Sequence, residues 1–343
     1  MKKNLFLPLL LLVLPLSLAA QSGTGFEVVA DDASKAVNVY YNGMQFTSYI
    51  YPHKLEKPVL YPLFNSNGTP LLRGFPLEPA YGERVDHPHH VGVWFNFGDV
   101  NGIDFWNNSS SVADKAKYGT IRHTGVTGTE NGENSGKLAV TADWNDAQGK
   151  TLLKSETEYI FGAEGHFRTI EHVVKLTAVE AVTFTDNKEG LFAMRLDRPF
   201  EEPSEKAEIR IGMDGEPMEE PTVDNDGVNG RFRDSRGREA EAGIWGKQAE
   251  WVMASANREG DESTVAILDH KNNPGFPAHW HARGYGLFAA NNMGSKSFNQ
   301  DDEAFSLKLA AGESVTFRHK IIIKAGSYAS DEEIQAEFDK FNK

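Results

Sequence analysis

The sequence predicts an all-β protein, a large sandwich or barrel of antiparallel strands. Period-two alternation of apolar and polar residues recurs along the chain, helical periodicity is scarce, and Gly- and Asn-rich turns separate the alternating runs. Lys137–Trp144, Thr151–Phe161 and Phe167–Leu176 read as successive strands. In the last, Ile170, His172, Val174 and Leu176 share one face and Thr169, Glu171 and Lys175 the other. Thr129–Gly136 and Asp146–Lys150 supply the turns between them. Thr264–Leu268 is a short apolar run, and Val315 to Ile323 alternates with Thr316, Arg318 and Lys320. One helix is expected, at the C-terminus: Ser330 and Glu333 fit a capping box, with Ile334, Phe338 and Phe341 on one face.

The chain has 343 residues, no cysteine and a formal net charge of −14. Absent cysteine excludes disulfides, thiolate metal sites and cysteine nucleophiles. The acidity argues against nucleic-acid partners and anionic membranes. Lys2 and Lys3, the apolar run Leu5–Leu18, and Ala19-Ala20 form a charged, apolar and small-residue succession, so residues 1–20 are expected to be a signal peptide. The run is broken by Pro8 and Pro15 and is too short to span a bilayer. The reading is an exported protein, periplasmic or extracellular, whose mature chain does not insert in a membrane. Residues 21–343 then form one β-sandwich domain. Glu201–Ala240, with twelve acids and six Arg or Lys, is a polar excursion from its sheets.

Polar chemistry concentrates in a few segments. Asp86-His87-Pro88-His89-His90 places three of eleven histidines within four residues. In an extended chain His87 and His89 would project to one side, about 7 Å apart, and His90 to the other. Such a pair could ligate a divalent metal or divide acid–base and positioning roles; as a bland alternative, all three are structural, the reading favoured for His90. Trp94 follows. Asp104 and Trp106 would share a side, a carboxylate beside an indole that suits a sugar ring, or else a solvated acid beside a core tryptophan. His123 lies in a strand-like run. Lys188, Glu189 and Arg195 form a third group, with Glu189 a general acid or base or simply part of a surface ion pair. Asp269-His270 precedes His279-Trp280-His281-Ala282-Arg283-Gly284-Tyr285, where His279, His281 and Arg283 are in phase and Trp280 faces packing. Phosphate-loop, dinucleotide, nucleophile-elbow and zincin motifs are missing.

Taken with Tyr61-Pro62-Leu63, Arg73, Trp245-Gly246, Asn273-Pro274 and Asn291, these segments resemble a bacterial PmoA-like family, labelled after methane oxygenase, between about Tyr61 and Lys324. A polytopic oxygenase subunit does not fit a chain without a spanning segment after its leader. The resemblance implies instead a sugar-handling supersandwich of the galactose-mutarotase type and a carbohydrate or sugar-derived ligand. Leu309–Ser314, leading into an alternating strand, is similar to the closing strand of such folds.

The reading is an exported carbohydrate-active enzyme that cleaves glycosides by hydrolysis or elimination, or epimerises sugars. His87, His89, Glu189, Asp269 and His281 are the candidate catalytic residues. Arg73, Trp94, Asp104, Trp106, His123, Lys188, Arg195, Arg283, Tyr285 and Asn291 are the candidate substrate contacts. Two rivals stand beside it: a glycan-binding module without catalysis, and a metal enzyme holding a divalent ion through His87 and His89.

Overall fold

The computed structural model describes residues 23–343; the leader expected over 1–20 lies outside the described residues. The strands are β1 (Phe26–Asp31), β2 (Ala36–Tyr41), β3 (Met44–Ile50), β4 (Val59–Leu63), β5 (Val93–Phe97), β6 (Thr120–Glu130), β7 (Ser135–Asn145), β8 (Thr151–Glu164) and β9 (Phe167–Ala178). They continue as β10 (Val182–Thr185), β11 (Gly190–Arg195), β12 (Arg231–Asp234), β13 (Trp251–Arg258), β14 (Asp261–Asp269), β15 (His279–Arg283), β16 (Leu287–Asn291), β17 (Ser306–Leu309) and β18 (Ser314–Ala325). Helices are few: a 3-10 turn at Arg198–Phe200, α1 (Ala240–Ile244) and α2 (Asp331–Phe341).

Two eight-stranded antiparallel sheets carry the fold. The first runs β1-β2-β3-β4-β5-β11-β16-β15, the second β12-β13-β14-β18-β9-β8-β7-β6, and β10 pairs with β17 apart from both. The sandwich expected from the sequence is the one observed. In β9 the face Ile170, His172, Val174, Leu176 is buried, and β18 pairs with it so that His319 stands opposite His172. Phe26, Val37, Phe192 and Trp280 from the first sheet meet Val140, Ile170, Ile267 and Ile321 from the second in one apolar interior. This is the period-two pattern converted into a two-layer core.

The run Val265–Leu268 lacks alternation because both of its faces are covered. Val265 and Ile267 face the first sheet, while Ala266 and Leu268 lie under α2 with Ile322, Ile334 and Phe341. The capping box forms as expected: Ser330 accepts from the Glu333 backbone, and the Glu333 side chain accepts from the Ser330 backbone. No helix among the described residues is long and apolar enough to cross a membrane.

For function, the decisive feature of the topology is the neighbourhood of β5, β11, β16 and β15. Pairing of Met194 with Val93 and of Arg195 with Leu287 brings three connections to one end of the first sheet. They are the loop before β5, the end of β11 and the β15–β16 turn.

Candidate active site

Residues 84–92 build one wall. The chain there is not extended: His90 N donates to His87 O at 2.9 Å, closing a turn, and His87 adopts φ +42°. The expected same-side display of His87 and His89 is therefore replaced by another geometry. His87 stacks on His90 with centroids 4.7 Å apart and planes 3° from parallel, while His89 meets both edge-on at 5.7 and 4.4 Å. Positive φ at a histidine is uncommon and is held here by its surroundings. The turn is released into β5 at Gly92, φ +64°, where a Cβ would lie 2.4 Å from Leu60 O.

Arg73 is what holds the turn. Its Nη1 donates to Asp86 O at 2.9 Å and Asp86 Oδ1 at 2.5 Å, and its Nη2 to His87 O at 3.0 Å and His90 O at 3.2 Å. Arg73 was expected to touch substrate; it is 2% exposed and spends its fork on the loop. Arg195, at the end of β11, donates from Nη2 to the same Asp86 oxygen at 2.8 Å and is fully buried, so it grips the carboxylate rather than a ligand. Burial pushes the Asp86 carboxyl upward, but Arg195, His87 and Arg73 outweigh it and hold it well below the ordinary carboxylate range.

His87 Nδ1 lies 3.0 Å from Asp86 Oδ2, and its side chain is 39% exposed. His90 and His281 are buried and His89 is half-buried. Burial, helped by Lys57, lowers His89 to about 2, and burial drives His90 well below its usual value. Lys57 lies behind them, donating to His89 O at 2.7 Å over the Trp94 ring. Burial lowers His281 to about 3. His281 Nδ1 donates to Lys188 O at 3.1 Å, leaving Nε2 buried without a partner. Glu189 Oε2 stands 3.8 Å from that Nδ1, and its other oxygen pairs with Lys188.

The β15–β16 turn completes the site. Tyr285 stacks on His87 at 5.1 Å, with the Arg195 guanidinium 4.6 Å and the Arg283 guanidinium 5.3 Å from its ring. Arg283 Nε donates to Glu241 Oε1 at 2.6 Å. Asp86, His87, Tyr285, Arg283, Glu202 and Glu208 are among the residues lining a cleft of about 420 Å³.

Structure thus gathers His87, His89, His281, Lys188, Glu189, Arg195, Arg283 and Tyr285, with Arg73 behind them. It separates the rest. Asp269, expected as a carboxylate partner, is fully buried between Asn273, Asn292 and the Ala278 N–H, and burial raises it to about 7. Trp94 and Trp106, expected as stacking faces for sugar, are 2% and 0% exposed and pack with His90 in the interior. Asp104 spends its carboxylate on the Trp106 and Asn107 N–H groups of its own loop. Asn291 is fully buried and fastens the loop before β11 through Asn187 O. His123 lies at another cavity, of about 390 Å³, stacked on Tyr51 at 3.9 Å. His279 and His281 are in phase as expected, both against Phe298 at 5.7 and 5.9 Å, but only His281 reaches Lys188 and Glu189.

Nor do His87 and His89 fit a divalent cation. The one carboxylate beside them is held by two guanidiniums, which repel a cation. Among the described residues no three His, Asp or Glu side chains converge as a ligand set.

Sequence reasoning gave no role to Asp86, Glu202, Glu241 and Lys57. Asp86 was visible beside His87; the others carry no local signal, Glu202 and Glu241 lying in or beside an acid-rich stretch.

A family model matches residues 36–339. The chain belongs to DUF6807, a family of unknown function. This overturns the PmoA-like resemblance drawn from the motifs, since the matching model is that of DUF6807. A search of curated proteins returns no match to this DUF6807 chain. Among solved structures it is similar to the galactosidase domain of the α-galactosidase–sucrose kinase AgaSK, at 10% identity and TM-score 0.40, covering 88% of this chain and 42% of that one. The GH36 α-galactosidase AgaA from Geobacillus stearothermophilus gives 11% identity and TM-score 0.41, covering 89% and 41%. The galactose 1-epimerase from Lactobacillus acidophilus NCFM gives 10% and 0.36, covering 89% and 99%. The DUF6807 chain spans about two-fifths of the α-galactosidase chains it resembles. Each is a likeness of fold.

Proposed function

We propose that this protein is an exported enzyme that performs acid–base chemistry on a sugar or sugar derivative bound in the Tyr285 cleft, with His87 as the proton-transfer group. The observation that carries the reading is the contrast between His87 and its neighbours. His87 alone of the four clustered histidines reaches the cleft, with Nδ1 3.0 Å from a carboxylate kept ionised by two buried arginines. The carboxylate 3.0 Å from Nδ1, out of line for a hydrogen bond, is a charge partner within reach of the ring, and Nε2 is the nitrogen left to exchange a proton with a ligand. His89, His90 and His281 are held neutral and act as surroundings.

The cleft suits a polyhydroxylated ligand. Glu202 presents a carboxylate without an ion-pair partner, Glu208, Glu241, Lys206 and Arg283 line the cleft as ion pairs whose remaining lone pairs and N–H groups can meet hydroxyls, and few apolar side chains line it. The glycan-binding alternative leaned on tryptophans and arginines, and Trp94, Trp106 and Arg195 are enclosed. Export rests on the leader of the sequence. The test is turnover of a panel of glycosides and free sugars by wild type and His87→Ala. Loss of all turnover in a folded variant supports the assignment; full activity overturns it.

A further inference from the structure

Glu202 differs from every other carboxylate around the cleft. Glu201 and Glu208 pair with Arg84, and Glu241 with Arg283. Among the described residues no Lys or Arg stands within ion-pair distance of Glu202. Its two oxygens accept only from the Glu241 backbone N–H, at 3.2 Å each. The Glu202 N–H donates to Gly284 O at 2.7 Å, and Glu202 Oε2 lies so close over Gly284 that a Cβ there would approach to 3.0 Å. Glu202 therefore sits against Gly284, the residue before Tyr285, and lines the same cleft as Tyr285 and His87. Burial favours its protonated form, opposed by the Glu241 N–H that both oxygens accept and aided by the Glu241 carboxylate, and the net direction is upward.

Glu202 is also a boundary. With Pro203 it lines both the His87 cleft and a second compartment of about 620 Å³. That compartment is of different character, lined by Met253, Ala240 and the exposed ring of Tyr328 together with Arg231, Arg233, Glu239 and Ser255. A protonatable carboxyl at the junction of a polar and a more apolar chamber is placed for a bond that joins a sugar to another group.

We propose that Glu202 is the proton donor to the leaving group of a glycoside, with the sugar on the His87 side and the leaving group over Met253 and Tyr328. This deepens the acid–base reading above and rests on it. As the bond from the anomeric carbon to the glycosidic oxygen breaks, the Glu202 O–H gives its proton to that oxygen. The leaving group departs as an alcohol and Glu202 is left as a carboxylate. Water adds to the anomeric carbon, its proton passing to His87 and back through solvent to Glu202. The sum is one water consumed and one glycoside bond cleaved. The substrate class is a glycoside whose second part has an apolar face, such as an aryl aglycone or a further sugar ring.

The experiment compares methyl and dinitrophenyl hexosides of both anomers with wild type, Glu202→Gln and His87→Ala, with folding checked by thermal melting. A dinitrophenolate leaves without protonation, so Glu202→Gln should lose about 100-fold or more on the methyl glycoside and markedly less on the dinitrophenyl one. Equal losses on both, or none, overturn the role of Glu202. His87→Ala inactive beside an unimpaired Glu202→Gln removes this inference and leaves the broader reading. If wild type cleaves no glycoside the inference falls, and an epimerisation assay then decides the broader reading alone. Tyr328→Ala should raise KM for aryl glycosides relative to methyl ones; an unchanged ratio overturns the placement of the leaving group.

Discussion

His87 and Tyr285 lie face to face, ring centroids 5.1 Å apart and planes 11° from parallel. They come from connections almost 200 residues apart in the chain, brought together because β11 pairs with β5 on one side and β16 on the other. The stack fixes one face of the imidazole, and His90 lies parallel to it as well. Tyr285→Phe should keep the stack and most of the activity. Tyr285→Ala should release the ring and lower kcat while the fold is retained. Comparable activity in the two variants would show that the stack has no part in catalysis.

His87 is 39% exposed, so its removal opens no cavity in the core. His87→Ala is expected to abolish turnover while changing stability by only about 0.5 kcal/mol. His87→Gly should be equally inactive and no less stable, because glycine accepts φ +42° without strain. Thermal melting beside activity measurements checks both; an inactive variant that has also unfolded would not count for the assignment.

Asp86 neutralises Arg73 and Arg195, both buried. Asp86→Asn leaves two enclosed guanidiniums without their counter-charge and should cost about 3–5 kcal/mol. Urea unfolding at neutral pH reads this directly. A loss below about 1 kcal/mol would mean that solvent reaches the arginines and that they are not committed to the loop.

Stability should fall as the solution is acidified below about pH 6.5. Burial lowers His89 to about 2 and His172 and His281 to about 3, so each stays neutral when folded but takes a proton when unfolded. Their contribution is fully present above pH 6.5 and is lost progressively as pH falls toward their folded values. Asp269, raised to about 7 by burial, acts in the opposite sense: its contribution is full below pH 4 and is lost as pH rises to 7. Three histidines outweigh one carboxylate, at about 1.4 kcal/mol per pH unit for each net proton. A urea midpoint that rises between pH 7 and pH 5 would contradict this balance.

Trp106 is fully buried against Trp94 and His90. Trp106→Ala should cost about 3–5 kcal/mol of stability. Trp106→Phe, which keeps the fold, should leave KM for sugar substrates within about twofold. A large rise in KM in that variant would return the indole to the ligand.

The strands of the second sheet were legible because half-buried antiparallel strands alternate with period two, as in β9 and β18. The C-terminal helix was legible from its own cap. The wall around His87 was not. Its shape is set by Arg73, thirteen residues before Asp86, and by Arg195, more than a hundred residues after it. Reading the histidine segment as extended assigned the wrong sides to His87 and His89, because positive φ at His87 has no local signature. The tryptophans near the motifs were chemically plausible sugar platforms, yet the same indoles serve equally as interior packing. Glu202 and Glu241 were hidden among twelve acids and beside them, since which acid is paired, as Glu241 is with Arg283, and which is not, as with Glu202, is a property of neighbours in space.

The polar excursion after the 3-10 turn is fastened to the histidine loop by a buried ion pair, Arg84 Nε to Glu201 Oε2 at 2.8 Å, and by the bridge between residues 84 and 210. The His87 loop is anchored by arginines of the framework, whereas the opposite rim belongs to this long surface connection. A change at Arg84 or Glu201 is therefore felt on both sides of the cleft. The excursion lines the cleft through residues 202–208, so substitutions at Ser204 and Lys206 should retune which molecules are accepted while Glu202 and the His87 loop stay in place. That makes this rim the natural place to graft new selectivity.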